Sequence, residues 1–130
     1  MTCVFCRIAR GEAPARIVWE DERFLAFLDA RPIAPGHLLL IPREHVDYLF
    51  DLHDDLYSPL FARLKSLEEP LRQAMQSDRI GVAIEGYGVA HAHVHLVPIN
   101  GRLELDPNRH AVLTELEMDE IAERIRGACD

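Results

Sequence analysis

The chain has 130 residues, an apolar fraction of 48% and a formal net charge of −8. This length predicts one domain, over residues 1–130, that is large enough to bury a core. The acidic charge argues against a non-specific nucleic-acid surface or an anionic-membrane surface, because each of these needs a basic patch. No apolar run approaches the ~20 residues needed to span a bilayer. We therefore expect neither nucleic acid nor a membrane as a partner.

The cysteine count and the N-terminus bear on the cellular compartment. Three cysteines, an odd number, do not make a disulfide framework. The N-terminus has no apolar signal core before Arg7 and Arg10, so export is not expected. A reducing, cytoplasmic compartment is the simplest interpretation.

The first motif along the chain is Cys3-x-x-Cys6. This spacing fits two zinc ligands, a redox pair or unreactive thiols, and the motif alone does not separate them. A thioredoxin-like motif would be expected between a strand and a helix. Here the motif stands at the start of the chain, and residues 8–11 predict only a short turn that stops at Gly11.

Three strands are predicted next. Residues 15–19 and 23–29 are rich in aliphatic and aromatic side chains and predict two short strands. Residues 31–36 contain two prolines and a glycine, so they predict a loop. Residues 37–42 are apolar almost throughout and predict a third strand that is buried on both faces. Asp29, at the mouth of the loop, has either a capping role or a functional one.

Two helices are predicted from apolar periodicity. Residues 54–77 repeat an apolar side chain every three or four positions, as one face of an amphipathic helix does. Pro70 lies inside this pattern and removes a backbone donor, so the helix is expected to kink or restart there. Thr114-Glu115-Leu116-Glu117 is a capping-box pattern. The helix that it starts is expected to run to about Arg126, with Leu116, Ile121 and Ile125 as its apolar stripe.

The segment between these two helices contains candidate catalytic histidines. Residues 80–85 predict a fourth strand, and Gly86-Tyr87-Gly88 predicts a tight turn into a fifth. In that strand His91, His93 and His95 would share one face, about 7 Å apart, because side chains alternate along a strand. Ala92, Val94 and Leu96 would face the core. The fold class predicted is α+β, a five-stranded antiparallel sheet with two helices packed on it.

A row of three imidazoles supports several kinds of chemistry. Each ring is a potential nucleophile, acid, base or metal ligand near neutral pH. A neutral imidazole attacks phosphorus if a partner accepts its other N–H and if donors hold the phosphate oxygens. Alternatively, all three histidines are ligands of one catalytic metal ion.

The chain resembles the histidine-triad (HIT) family. His-x-His-x-His followed by two apolar residues, at positions 91–97, is similar to the signature of that family. Residues 3–12, 20–29 and 35–45 resemble the family's upstream segments in order and spacing, so the resemblance covers roughly residues 3–98. It implies a HIT-like fold, commonly a homodimer. It also implies a nucleotide hydrolase or nucleotidyl transferase that acts at the α-phosphate of a purine nucleotide or nucleotide conjugate.

The resemblance also implies residue roles. His93 would be the nucleophile that forms a covalent nucleotidyl intermediate, His95 would contact the phosphate, and His37 would support them from behind. The residues implied in nucleotide binding are Phe5, Ile8, Phe27, Asp29, Ala30, Glu85, Gly88 and His95. Asp29 matches the acidic residue that binds the ribose hydroxyls. The substrates implied are nucleoside phosphoramidates or dinucleoside polyphosphates. The rival hypothesis is a nucleotide-binding, zinc-stabilised interaction module without efficient turnover.

A zinc site is implied by the same resemblance. Several bacterial-type relatives hold zinc through two cysteines, a histidine after Ile-Pro, and the first histidine of the triad. The matching residues here are Cys3, Cys6, His45 and His91. A Cys₂His₂ set is tetrahedral and closed, which is typical of a structural zinc ion. His91 would then hold metal, while His93 and His95 carry out the chemistry.

The chain departs from the family pattern just before the triad. The loop at residues 85–91 is several residues shorter than usual. Glu85 stands near the usual Asn, Tyr87 stands where Gln is expected, and Gly88 replaces a hydroxyl residue. The side chains that would position the leaving group are therefore missing, although backbone amides of the glycine-rich turn could still hold a phosphate.

Overall fold

A computed structural model describes residues 3–129. It contains one antiparallel sheet of five strands, in the order β1-β2-β3-β5-β4. The strands are β1 (Ile17–Glu20), β2 (Phe24–Leu28), β3 (Leu38–Pro42), β4 (Arg79–Ala83) and β5 (Val94–Ile99). The helices are α1 (Val4–Ala9), α2 (Asp54–Met75) and α3 (Glu115–Cys129), with a short 3-10 helix at Leu49–Asp51. The predicted five-stranded antiparallel sheet is confirmed. Within residues 3–129, no helix combines the length and the apolar character that a bilayer crossing requires.

Both faces of the central strands are buried, as predicted for the third strand. Alternate residues of β2 and β3, such as Ala26 and Leu40, belong to a large core cluster with α2 and α3. The intervening residues, such as Phe27 and Leu39, pack on the opposite face against Phe5 and other apolar side chains of α1. This alternation follows from the two-residue period of a strand. The sheet therefore separates two apolar layers, and α1 covers the second layer.

The helix α1 was not predicted, since residues 8–11 indicated only a turn. The Sγ of Cys3 caps the helix by accepting a hydrogen bond from the backbone N–H of Cys6 (3.4 Å). A six-residue helix is not stable in isolation. Burial of Phe5 and Ile8 against the sheet stabilises it. The packing that forms α1 comes from strands far away in the sequence, so the local pattern did not reveal it.

The helix does not restart at Pro70, one of the two predicted outcomes there, because α2 continues through Pro59 and Pro70 as one helix. A proline inside a helix costs roughly 3 kcal/mol, mainly through the lost hydrogen bond and a steric clash. Leu67 and Leu71 flank Pro70 and are buried in the core. Their burial on both sides of the proline keeps the two halves of the helix in one apolar stripe.

The capping box that starts α3 is confirmed. The backbone N–H of Thr114 donates to Glu117 (2.9 Å), and the backbone N–H of Glu117 donates to the Thr114 hydroxyl (3.1 Å). Part of the predicted apolar stripe is wrong, because Leu116 is 67% exposed. At 3.6 residues per turn, Leu116 lies about 140° from Ile121 around the helix. The buried stripe consists of Met118, Ile121, Ala122 and Ile125.

The segment before the third histidine is a loop. β4 ends at Ala83, so the predicted extension to Glu85 is wrong, and β5 begins only at Val94. Gly86 and Gly88 have φ of +93° and +90°. These left-handed conformations favour glycine and do not continue the hydrogen-bonded ladder of the sheet. Only His95 of the triad lies in a strand, which corrects the prediction of a three-histidine strand face.

Candidate functional site

The first two triad histidines are buried and oriented by backbone carbonyls. Nε2 of His91 lies 2.8 Å from the carbonyl oxygen of Pro42, and Nδ1 of His93 lies 2.7 Å from the carbonyl oxygen of His91. A carbonyl oxygen only accepts, so both of these ring nitrogens carry the proton. In the neutral rings, Nδ1 of His91 and Nε2 of His93 therefore have free lone pairs.

The third histidine is oriented by a chain of hydrogen bonds. The backbone N–H of Ile33 donates to Nδ1 of His37 (2.9 Å), so neutral His37 is protonated on Nε2. That Nε2–H donates to Nδ1 of His95 (2.9 Å), which leaves the proton of neutral His95 on its Nε2. A backbone amide thus determines the tautomers of both rings. The site combines a basic nitrogen on His93 with an N–H donor on His95, and the two ring centroids are 5.1 Å apart.

Burial favours the neutral form of His37, His91 and His95. Burial lowers the pKa of His37 to about 4, even though the nearby Asp29 carboxylate acts in the opposite direction. Burial also lowers the pKa of His91 and of His95. The tautomers described above for His37, His91 and His95 therefore apply at neutral pH.

A low pKa in the folded state makes stability depend on pH. Unfolded His37 titrates near pH 6.5 and folded His37 near pH 4, so the unfolded state binds more protons between these values. We expect the free energy of unfolding to fall as the pH is lowered from about 6.5 toward 4. Urea unfolding of the wild type and of His37→Asn, which retains an acceptor for Ile33, measures this across the range. Parallel stability profiles for the two proteins would contradict it.

Beside the histidines lies a cavity of about 790 Å³ on the α1 side of the sheet. This volume is within the range of small-molecule sites, roughly 300–1,000 Å³. Most of the residues predicted to bind a nucleotide or perform the chemistry line it together: Phe5, Ile8, Phe27, Asp29, Ala30, Gly88, His93 and His95. Residues from α1, from the end of β2 and the loop after it, from the glycine turn and from the triad thus meet at one cavity.

Two of the residues predicted for catalysis or nucleotide binding do not line the cavity. Glu85 is exposed and is not among the residues that line the cavity, because β4 ends before it. Its charge still raises the pKa of His95 slightly against the effect of burial. His37 is 2% exposed and lies behind His95 rather than at the cavity wall. The supporting position expected for His37 agrees with this placement.

Asp29 has the capping role that was one of its two predicted roles. Its Oδ1 accepts a hydrogen bond from the backbone N–H of Arg31 (2.9 Å), which closes the loop after β2. Its Oδ2 lies 3.5 Å from Nε2 of His37. The carboxylate also lines the cavity, so capping does not remove it from a ligand's reach.

The cavity also contains residues that were not among the predicted site residues: Arg16, Leu39, Tyr87, Val89, Glu115 and Asp119. Arg16 forms ion pairs with Glu115 (2.5 Å) and Asp119 (2.9 Å) at the start of α3. These contacts join residues about 100 positions apart, so no local pattern predicts them. Tyr87 is 79% exposed at the cavity.

The four predicted metal ligands lie together. The ligand atoms of Cys3, Cys6, His45 and His91 are all within 4.8 Å of one another. Sγ of Cys6 is 3.2 Å from Nδ1 of His45, and both sulfurs are 3.5 Å from Nδ1 of His91. Zinc–sulfur and zinc–nitrogen bonds at tetrahedral angles place S and N about 3.6 Å apart. Nδ1 of neutral His91 is unprotonated and is therefore available as a metal ligand. The four side chains fit a zinc ion. Burial, with the adjacent Cys3, raises the pKa of the Cys6 thiol.

A second group, Asp29, His37 and His95, has ligand atoms at similar separations. Metal binding there is disfavoured, because the Nε2 of neutral His37 is protonated and donates to His95. The hypothesis of one metal ion held by all three triad histidines is also not supported. Among residues 3–129, the three triad rings do not form a ligand group, since His91 belongs to the cysteine cluster.

Comparison with known proteins shows which family the chain belongs to. The HIT domain family model matches residues 10–101. An uncharacterized HIT-like protein of Methanocaldococcus jannaschii is 32% identical over 96% of this chain and 99% of its own length. An adenosine 5'-monophosphoramidase of Candida albicans is 33% identical over 75% of this chain and 70% of its own length.

Solved structures show the same fold. A zinc-bound histidine triad family protein from Mycobacterium smegmatis aligns with a TM-score of 0.85 and 32% identity, over 99% of this chain and 94% of that one. The family match extends over more than half of the sequence and includes the triad. On these grounds the chain belongs to the HIT domain family.

Proposed function

We propose that the protein hydrolyses a purine nucleotide conjugate at its α-phosphate, or transfers the nucleotidyl group, through an intermediate on Nε2 of His93. The observation that carries this proposal is the hydrogen bond from Nδ1–H of His93 to the His91 carbonyl. It leaves the Nε2 lone pair unprotonated on a ring that lines the cavity. A neutral, oriented imidazole is a competent nucleophile toward phosphorus.

The reaction has two steps. Nε2 of His93 attacks the α-phosphorus, the N–P bond forms, and the bond to the leaving group breaks with its electron pair going to that group. The imidazolium charge that develops is stabilised by the His91 carbonyl, which accepts the Nδ1–H. Nε2–H of His95 donates to a phosphoryl oxygen. Water then attacks phosphorus, the N–P bond breaks, and a nucleoside monophosphate and a proton leave; an acceptor other than water gives transfer instead.

The cavity supports a nucleotide as the ligand. Phe5, Ile8 and Phe27 give it an apolar wall for a base, and the Phe5 and Phe27 rings meet edge to face at 5.4 Å. Asp29 provides carboxylate oxygens suited to ribose hydroxyls, as the family resemblance implies. Phosphate would then lie beside His93 and His95, near the backbone of Gly88. The Candida relative, named an adenosine 5'-monophosphoramidase, supports a phosphoramidate as one substrate class.

The remaining expectations stay predictions. The Mycobacterium relative is zinc-bound, and the Cys₂His₂ cluster here supports a structural zinc ion. When bound, zinc would cross-link the N-terminus to the sheet and would leave His93 uncoordinated. The homodimer, the cytoplasmic location and the absence of nucleic-acid or membrane partners rest on the sequence and the resemblance.

Detection of the covalent adduct tests the proposed function. Protein mixed with adenosine phosphoramidate or diadenosine polyphosphate and quenched within a turnover should gain the mass of one adenylyl group, which is AMP less one water. The adduct should map to His93 and should be acid-labile, as phosphorus–nitrogen bonds are. Tight binding of these compounds without an adduct or product would favour the rival hypothesis of a binding module.

The missing hydroxyl at Gly88 predicts a steep dependence on the leaving group. Without a side chain there to donate a proton, expulsion depends on the acidity of the leaving group itself. Conjugates with pyrophosphate-type leaving groups should be hydrolysed well, and conjugates with alkylamine leaving groups poorly. The measurement is kcat/KM for a series of adenosine conjugates that differ in leaving-group pKa.

The control for this series is Tyr87→Phe, because Tyr87 lines the cavity and is exposed. If wild type and Tyr87→Phe give the same steep slope, the phenol supplies no proton. A flat dependence in the wild type would refute the prediction, and a slope that steepens in Tyr87→Phe would identify the phenol as the donor.

A further inference from the structure

The helix α1 is a wall shared by the metal cluster and the nucleotide cavity. Cys3, which caps α1, and Cys6, within it, face His45 and His91. Phe5 and Ile8, which alternate with them on α1, line the cavity. The possible metal ligands and the apolar side chains of the cavity wall are therefore carried by one short helical segment.

The two ends of α1 are held differently. At its C-terminal end, the Arg43 guanidinium donates to the Ala9 carbonyl (2.9 Å). At its N-terminal end, the cysteine sulfurs contact histidines in the segments after β3 and before β5, as in the 3.2 Å contact between Cys6 Sγ and His45 Nδ1. A thiol is a weak hydrogen-bonding group, whereas a metal–thiolate bond is a strong one. Besides the burial of Phe5 against the sheet, the position of the N-terminal turn therefore depends on the metal cluster.

A second connection runs through His91. Its Nδ1 faces the two cysteines, and its backbone carbonyl accepts the Nδ1–H of His93. The Phe5 ring contacts both imidazoles edge to face, at centroid distances of 5.9 Å for His91 and 5.3 Å for His93. A displacement of His91 or Phe5 would thus alter the position of the His93 ring.

We propose that Cys3, Cys6, His45 and His91 act as positioning residues for the nucleotide site, so that metal binding and nucleotide binding strengthen each other. Metal binding fixes the base wall at Phe5 and the orientation of His93 before the nucleotide enters. Nucleotide binding then no longer includes the unfavourable free energy of ordering these groups, so the affinity for the nucleotide rises. This inference rests on the proposed function, since it requires a nucleotide in this cavity.

Thermodynamic linkage makes the effect reciprocal. If zinc raises the affinity for a nucleotide by some factor, the nucleotide raises the affinity for zinc by the same factor. Couplings between two sites in one protein are typically about 5- to 150-fold. If the metal stabilised the fold without affecting the cavity, zinc would not change the affinity for the nucleotide, and the nucleotide would not change the affinity for zinc.

The first experiment uses AMP and GMP as probes, because each is a product of the proposed reaction. Calorimetry gives Kd for each nucleotide with zinc-loaded protein and with chelator-treated protein, and far-UV circular dichroism reports the folded state of both. We expect Kd to rise at least about fivefold on zinc removal. Cys129→Ser, outside the cluster, is the matched control for loss of a cysteine and should behave as wild type.

The second experiment uses only zinc-loaded protein. It therefore tests the linkage between zinc and nucleotide binding even if the metal-free protein unfolds. Zinc release from the loaded protein into a chromogenic chelator is followed with and without saturating AMP or GMP. We expect the nucleotide to slow release by a similar factor. If the loaded protein binds nucleotide but its zinc release and Kd are unaffected, the linkage is refuted and the proposed function stands. If the loaded protein binds neither nucleotide, the proposed function fails.

Discussion

Replacing His93 with alanine is expected to lower kcat by about 10³-fold or more while leaving the Kd for AMP within roughly tenfold. The proposed nucleophile forms its bond to phosphorus in the transition state, so its loss removes little of the ground-state binding. Steady-state turnover of an adenosine conjugate gives kcat, and calorimetry gives the affinity. The acid-labile adduct should also be absent from this variant.

His53→Ala is a suitable control for this substitution. His53 is exposed, precedes α2 and is not a cavity residue, so the loss of its imidazole should leave turnover unchanged. Turnover of His93→Ala within a fewfold of wild type would show that another group is the nucleophile. A loss of AMP binding that matches the loss of turnover would instead assign His93 to binding.

Much of the sheet and the core could be predicted because their patterns are local. The almost wholly apolar stretch at residues 37–42 predicted a strand buried on both faces, and β3 is buried throughout. The Thr114–Glu117 box predicted the start of α3, because a capping box is complete within four residues. The clustering of Cys3 and Cys6 with His45 and His91 followed only from the family resemblance, since spacing alone left three interpretations open.

Other features depend on contacts that no local pattern encodes. The alternation of the triad is visible in the sequence, but the strand begins only at Val94, after a loop that contains two glycines with positive φ. The neutral tautomer of His95 depends on the Ile33 amide through His37, 58 residues earlier in the chain than His95. The Arg16 ion pairs to Glu115 and Asp119 bring α3 to the cavity from outside the segment that the family model matches.

Removal of zinc is expected to produce the largest change in stability. A ligand present at about 1,000 times its Kd stabilises the folded state by about 4.1 kcal/mol, if it binds only that state. For a chain of this size, chelation should then lower Tm by on the order of 10 °C or more. Differential scanning calorimetry of protein purified with zinc, before and after chelation, measures this shift, and metal analysis gives the stoichiometry.

Substitutions separate the metal from other effects of the chelator. Cys6→Ser should lose zinc and have a low Tm that chelation no longer changes, whereas Cys129→Ser, outside the cluster, should keep the wild-type response. Cys3→Ser should lose metal and stability but keep measurable turnover at saturating substrate, because His93 and His95 are not in the cluster. Zinc affinity should fall in acid, since thiolates must form to bind it. A Tm insensitive to chelation, or a Cys3–Cys6 disulfide in the purified protein, would mean that α1 is held without metal.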